Sequence, residues 1–157
     1  MSRQPRSQLS IHSYFHVCVR GNNGQNLFHD DSDRTRYVFL IEKYRKQHGL
    51  LCYAYCLMTN HIHHLFLSPS VQKLSKAMHG LQLAYVVYFN HRHQRRGHLF
   101  ESRFSSWVIK DNTHLLYTKE YIENNAVKAG MVDSNSEYPW SSAFRDRSAV
   151  TISKIEG

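Results

Sequence analysis

The stretch from residue 51 to residue 69 constrains this chain more than any other. An apolar run, Leu51-Cys52-Tyr53-Ala54-Tyr55-Cys56-Leu57-Met58, is followed almost at once by Asn60-His61-Ile62-His63-His64-Leu65-Phe66-Leu67, which ends at Ser68-Pro69. Both runs have the length of strands, and the short gap between them predicts an antiparallel pair. Side chains on a strand alternate, so His61 and His63 share a face and Ile62 points the other way. Two imidazoles on one strand face can share a metal ion. They also displace apolar surface that a small domain needs, so they call for a chemical reason. Chance is the competing account, because the chain has twelve histidines and His91 and His93 form a second pair. That second pair ends a helical pattern, where positions i and i+2 do not face together.

The other elements are built around this pair. Tyr14 to Arg20 reads as a first strand, and Gly21-Asn22-Asn23-Gly24 breaks it. Asp30 to Asp33 offers helix-capping groups, Tyr37, Leu40, Ile41 and Tyr44 follow at helical spacing, and Gly49 stops the helix. A second helix is predicted from Ser70 to about His91, with Leu74, Met78, Leu81, Tyr85, Tyr88 and Phe89 on its apolar stripe. Ser105 to Ile109 makes a fourth strand. Asp111 caps a third helix that runs to about Val127 and ends at Gly130. The order β-α-β-β-α-β-α predicts an α+β, ferredoxin-like βαββαβ sandwich with an additional C-terminal helix. A chain of 157 residues suits one domain, expected over 12–143, with a mobile basic arm over 1–11 and a tail over 144–157.

No run of about 18 apolar residues exists to span a membrane. The start of the chain, with Arg3 and Arg6, lacks the apolar segment of a secretion signal. Cys18, Cys52 and Cys56 are an odd number and read as reduced core thiols of a cytoplasmic protein. On a strand Cys52 and Cys56 lie roughly 13 Å apart, at about 3.3 Å per residue. One zinc ion, with bonds of about 2.3 Å to sulfur, cannot hold both. The net charge of +8 and the many aromatics favour a polyanionic partner. Asn90-His91-Arg92-His93-Gln94-Arg95-Arg96-Gly97-His98, with Arg103 beyond, carries a single acid, Glu101. This run could follow a phosphate backbone, with Phe100 or Phe104 stacking on bases, or could be a solvated loop. Arg20, Asn22 and Asn23 fit either a nucleic-acid loop or a turn, and Lys128 either a phosphate contact or a cation at a helix C-terminus.

Tyr121 and Asn125 stand at i and i+4 on the last helix and project together. An asparagine carbonyl can complete a metal site, and a tyrosine one turn away can attack a phosphate held there. The same pattern also describes a helix with one core tyrosine and a polar outer face.

Several segments together resemble the REP-associated tyrosine transposases, within the single-tyrosine His-hydrophobic-His transposases of bacterial insertion sequences. They are Phe15-His16-Val17 with Arg20-Gly21-Asn22-Asn23, Ala54 to Met58 with Asn60 to His63, and Tyr88-Phe89-Asn90. Gly97 to Phe100 with Arg103-Phe104, Tyr121-Ile122, Asn125 with Val127 to Gly130, and Tyr138 to Ser142 continue the series in family order. The resemblance implies metal-dependent cleavage and rejoining of single-stranded or hairpin DNA through a covalent 5′-phosphotyrosine. By motif position Tyr121 would be the nucleophile, and His61, His63 and Asn125 the ligands of Mg²⁺ or Mn²⁺. DNA contacts would come from Arg20, Asn22, Asn23, Arg92, Arg95, Arg96, Arg103 and Lys128. A monomer or homodimer in the bacterial cytoplasm, associated with the nucleoid, is expected. Thr59 and Ala126 stand where the family often has proline, and Ala126 would let the last helix continue past Asn125. A non-catalytic relative that binds DNA hairpins is the alternative. An RNA-binding ferredoxin-like domain is disfavoured, because its central strands would carry aromatics where this chain has histidines.

Overall fold

A computed structural model describes residues 12–146; the basic arm over 1–11 and residues 147–157 lie outside the described residues. Four strands, β1 (Ser13–Arg20), β2 (Leu51–Leu57), β3 (His61–Ser68) and β4 (Ser105–Val108), form one sheet in the order β2-β3-β1-β4. All neighbours are antiparallel. With α1 (Asp31–His48) between β1 and β2, and α2 (Val71–Arg92) between β3 and β4, this is the expected ferredoxin-like arrangement.

The helix boundaries follow from capping chemistry. Side chains of Asp30, Ser70 and Asp111 accept hydrogen bonds from the backbone N–H groups of Asp33, Lys73 and His114 at 3.1, 3.1 and 2.8 Å. Each such cap contributes about 1 kcal/mol. Gly49 ends α1 in the left-handed region at φ 73°.

The sheet separates two cores of unequal size. Strand alternation sends Phe15, Val17, Val19, Ile62 and Phe66 into a large core with Tyr37, Leu40, Leu74, Met78, Leu81 and Tyr85 of α1 and α2. The two helices meet closely at Gly80, where a Cβ would lie 2.4 Å from the ring of Tyr44. The opposite face is covered by α3 (Asn112–Glu123) and the single-turn α4 (Asn125–Lys128). Its core is thinner: Ala54, Cys56, Met58, Leu65, Ile122, Ala126 and Tyr138. A bulge between Cys52 and Ala54 changes the parity of β2, so Cys52 packs against the large core while Cys56 enters the small one. Both thiols are pushed up to about 12 by burial. The cysteines are free, as expected, and they part to opposite faces of the sheet.

The last helix departs from expectation. It does not run unbroken to Val127 but is interrupted at Asn124 (φ −91°, ψ 2°). The Asn125 side chain donates to the backbone carbonyls of Tyr121 at 3.0 Å and Ile122 at 3.4 Å, taking acceptors that a continuous helix would use. Asn124 is tied to Asn135 by a 2.8 Å hydrogen bond. Helical residues continue over 142–146, into the segment expected as tail. Among the described residues no helix is long and apolar enough to cross a membrane.

Candidate active site

The thin side of the sheet gathers the residues of interest. β3 presents His61 and His63 toward α3, with ring centres 5.2 Å apart. Tyr121 of α3 meets His63 edge-on at 5.8 Å and remains 39% exposed. Asn125, one turn on, uses its amide N–H₂ on the helix backbone, and its side chain acts on His61 to favour the charged imidazole. Lys128 places its Nζ 5.8 Å from the Tyr121 ring centre. Arg20 is directly opposite His61 across the strand pair. Tyr117, one turn before Tyr121, is 68% exposed and makes no ring contact with these histidines among the described residues.

A further histidine joins them. His16 on β1 sits with its Nε2 2.9 Å from Nδ1 of His63, its ring 6.0 Å from Tyr121 and 5.2 Å from Trp107. In the sequence His16 stands out only as part of the segment Phe15-His16-Val17. The available signal was strand parity, because His16 falls on the face that Phe15, Val17 and Val19 avoid.

Burial controls the charge here. It lowers His63 to about 3, helped by His16, His61, His64 and Arg20, and lowers His16 to about 4, helped by His114. His61 is also lowered by burial and by Arg20, against the opposing effect of Asn125. All three are therefore neutral imidazoles at neutral pH, the form a metal requires. The Nδ1 of His61 faces Asn60 Oδ1 at 2.9 Å, an amide oxygen that only accepts. That leaves the lone pair of His61 on Nε2. Two neutral imidazoles beside an amide carbonyl form a donor set that fits a divalent ion.

The third histidine of the run goes elsewhere. His64 lies in the large core, with Nε2 2.9 Å from the Tyr37 hydroxyl, and burial lowers it to about 3.

A second group was not read from the sequence. His29, Asp33 and His93 bring ligand-type atoms within 4.8 Å of one another and could hold a metal ion. Asp33 is fully buried and heavily engaged. It accepts from Tyr88, Arg92, His93 and the backbone of His29 at 3.1, 2.6, 2.8 and 2.9 Å. These bonds hold its carboxyl below the usual range against the effect of burial.

The basic segments meet on one surface. Gly21 bridges to Phe100, Asn22 N–H donates to the Leu99 carbonyl at 2.8 Å, and the Gln25 side chain donates to His98 and Leu99. Gly21 is required there, since a Cβ would lie 2.1 Å from the Gln25 carbonyl oxygen. Asn23, Arg96 and Arg103 are exposed on this surface. Arg95 is held by Asn90 and Gln25, at 2.8 and 2.9 Å. Arg92 is paired with Asp30 and Asp33, at 2.6 Å each. Along the chain the run shows no acid before Glu101; in space Asp30, the cap of α1, and Asp33 in its first turn neutralise the first arginine of the run.

Comparison with known proteins follows the same line. The fold is similar to that of a REP-associated tyrosine transposase solved bound to a REP hairpin, with a TM-score of 0.73 and 19% identity, covering 94% of this chain and 86% of that one. It is also similar to a candidate transposase from Deinococcus radiodurans R1, with a TM-score of 0.51 and 15% identity, covering 79% of this chain and 97% of that one. No curated protein sequence matches. The family described as "Transposase IS200 like" matches residues 10–125, which carry all four strands and the helix bearing Tyr121. The chain belongs to the IS200-like transposase family.

Proposed function

We propose that this protein cuts and rejoins single-stranded or hairpin DNA through a covalent 5′-phosphotyrosine on Tyr121. The observation that carries the reading is the convergence of His61, His63, Tyr121 and Asn125 from three elements onto one partly open site in a chain of this family. His61, His63 and Asn125 would hold Mg²⁺ or Mn²⁺, and imidazole donors favour Mn²⁺ over the more oxygen-seeking Mg²⁺. The bound ion would withdraw charge from a phosphoryl oxygen and orient it.

The chain's own groups supply the remaining chemistry. The Tyr121 hydroxyl oxygen forms a bond to phosphorus and loses its proton, while the bond from phosphorus to the 3′ oxygen breaks and that oxygen leaves as a hydroxyl. A phenolate leaves readily, so another DNA hydroxyl can reverse the link, which suits strand transfer better than hydrolysis. Lys128, beside the Tyr121 ring, would hold a phosphate oxygen. Arg20, Asn22, Asn23, Arg96 and Arg103 would track the backbone outside the site. Arg92 and Arg95, engaged within the fold, would contribute chiefly by fixing the shape of this surface. Activity on chromosomal DNA would put the protein with the nucleoid.

Incubation with end-labelled hairpin DNA and Mn²⁺, followed by a denaturing gel, tests the reading. A protein-linked band is expected for the wild type and none for Tyr121→Phe. A wild type that binds the hairpin but forms no band would overturn the enzyme reading in favour of a hairpin-binding relative.

A further inference from the structure

We infer that His16 is a positioning residue that fixes the tautomer of His63. The inference rests on the reading that His63 is a metal ligand. A neutral imidazole carries one proton on two nitrogens, and only the bare nitrogen can bind a metal. In His63, Nδ1 is committed to His16 Nε2 at 2.9 Å. Only Nε2 is left to serve as the ligand atom. It has a lone pair only when the proton sits on Nδ1, and that proton must then be donated to His16. The hydrogen bond therefore decides whether His63 can bind a metal at all.

His16 is held for this task. Its ring packs on Trp107 at 5.2 Å, its cross-strand neighbour on β4, and stands edge-on to Tyr121 at 6.0 Å. β1 is hydrogen-bonded between β3 and β4, so the acceptor is carried by the middle of the sheet. Asn60 does the same for His61, accepting its Nδ1–H at 2.9 Å. Each proposed imidazole ligand is thus oriented by one acceptor, the arrangement that sets ring direction and basicity in metal sites.

The test uses the full chain and two substitutions. His16→Phe keeps a ring against Trp107 but cannot accept a hydrogen bond, whereas His16→Gln can. Long-range ¹H–¹⁵N spectra of the metal-free protein read the tautomer directly. The proton of His63 is expected on Nδ1 in the wild type and in His16→Gln, and displaced toward Nε2 in His16→Phe. Mn²⁺ binding, followed by the EPR signal of the free ion, should weaken about 10–100-fold in His16→Phe and recover to within a few-fold in His16→Gln. A wild-type His63 protonated on Nε2, equal Mn²⁺ affinity in wild type and His16→Phe, or indistinguishable behaviour of the Phe and Gln variants would each overturn the inference. Loss of Mn²⁺ binding in His16→Phe with the tautomer unchanged would make His16 a ligand and overturn the positioning role. Undiminished Mn²⁺ binding in His63→Ala would instead remove the underlying metal reading, whatever the tautomer.

Discussion

The two faces of β3 treat the same residue type in opposite ways. His64 points into the large core between the sheet and α1 and α2, where it is fully buried against Tyr37. His61 and His63 point to the thin side, where α3 brings Tyr121 and its short continuation brings Asn125. All three imidazoles are lowered by burial. What separates them is the layer above: a packed pair of helices leaves His64 a structural hydrogen bond, while the thinner layer leaves His63 beside a partly exposed tyrosine. Burial of a histidine is therefore a poor guide to its role, and the chemistry that converges on it is a better one.

Two substitutions at neighbouring positions would break this comparison most visibly. His63→Ala should reduce DNA cleavage about a thousandfold or more, the equivalent of some 4 kcal/mol of lost transition-state stabilisation, in a protein that remains folded. His64→Ala should do the reverse, costing about 2–4 kcal/mol of stability through a cavity and an unpaired Tyr37 hydroxyl. Activity per folded molecule should be preserved. Urea unfolding and cleavage assays on both variants check the pair, and matching phenotypes would erase the distinction between the faces.

Acid should weaken both faces, and a metal ion should rescue only one. His16, His63 and His64 fall to about 4, 3 and 3 in the folded protein, against 6.5 in an open chain. The unfolded chain binds more protons in that interval. The stabilisation is therefore complete above about pH 6.5 and declines as the pH falls toward these lowered values. A fully buried imidazole such as His64 should account for on the order of 2 kcal/mol between pH 7 and pH 5. Denaturant midpoints across this range measure it. At pH 7, Mn²⁺ should raise the midpoint of the wild type and leave that of His63→Ala unchanged.

The smallest effects belong to the basic surface. Replacing Arg96 and Arg103 with Ala should flatten the salt dependence of hairpin binding by about two contacts, at roughly 0.7 to 0.9 each. Arg92→Ala should leave the slope nearly intact and lower the melting temperature, because it strips the buried Asp33 carboxylate of its guanidinium. A slope change in Arg92→Ala as large as in the double variant would return Arg92 to the DNA interface.

The fold was legible in the sequence because its signals are local. Strand alternation at Tyr14–Arg20, caps at Asp30, Ser70 and Asp111, and a left-handed stop at Gly49 can all be read within a few residues. The facing of His61 and His63 is equally local, being fixed by parity on a single strand. Contacts between distant segments were not legible. Nothing near Arg92 in the chain points to Asp30 and Asp33, because α1 and α2 become neighbours only on folding. The meeting of His16 and His63 depends on β1 pairing with β3, and the break at Asn124 on side-chain amides competing for helix carbonyls. Tyr53, at the bulge, reads in sequence as an ordinary strand residue, so the parting of Cys52 and Cys56 was hidden as well.

Mapping the attachment point of the DNA tests the central claim most directly. Trypsin cuts after Lys110, Lys119 and Lys128, so Tyr117 and Tyr121 fall in separate peptides, 111–119 and 120–128, each with one tyrosine. After reaction with hairpin DNA and Mn²⁺, followed by nuclease trimming, mass spectrometry should find the 5′-phosphonucleotide on peptide 120–128 alone. The adduct should vanish in Tyr121→Phe. A nucleotide carried on peptide 111–119, or on any other tyrosine, would contradict the account.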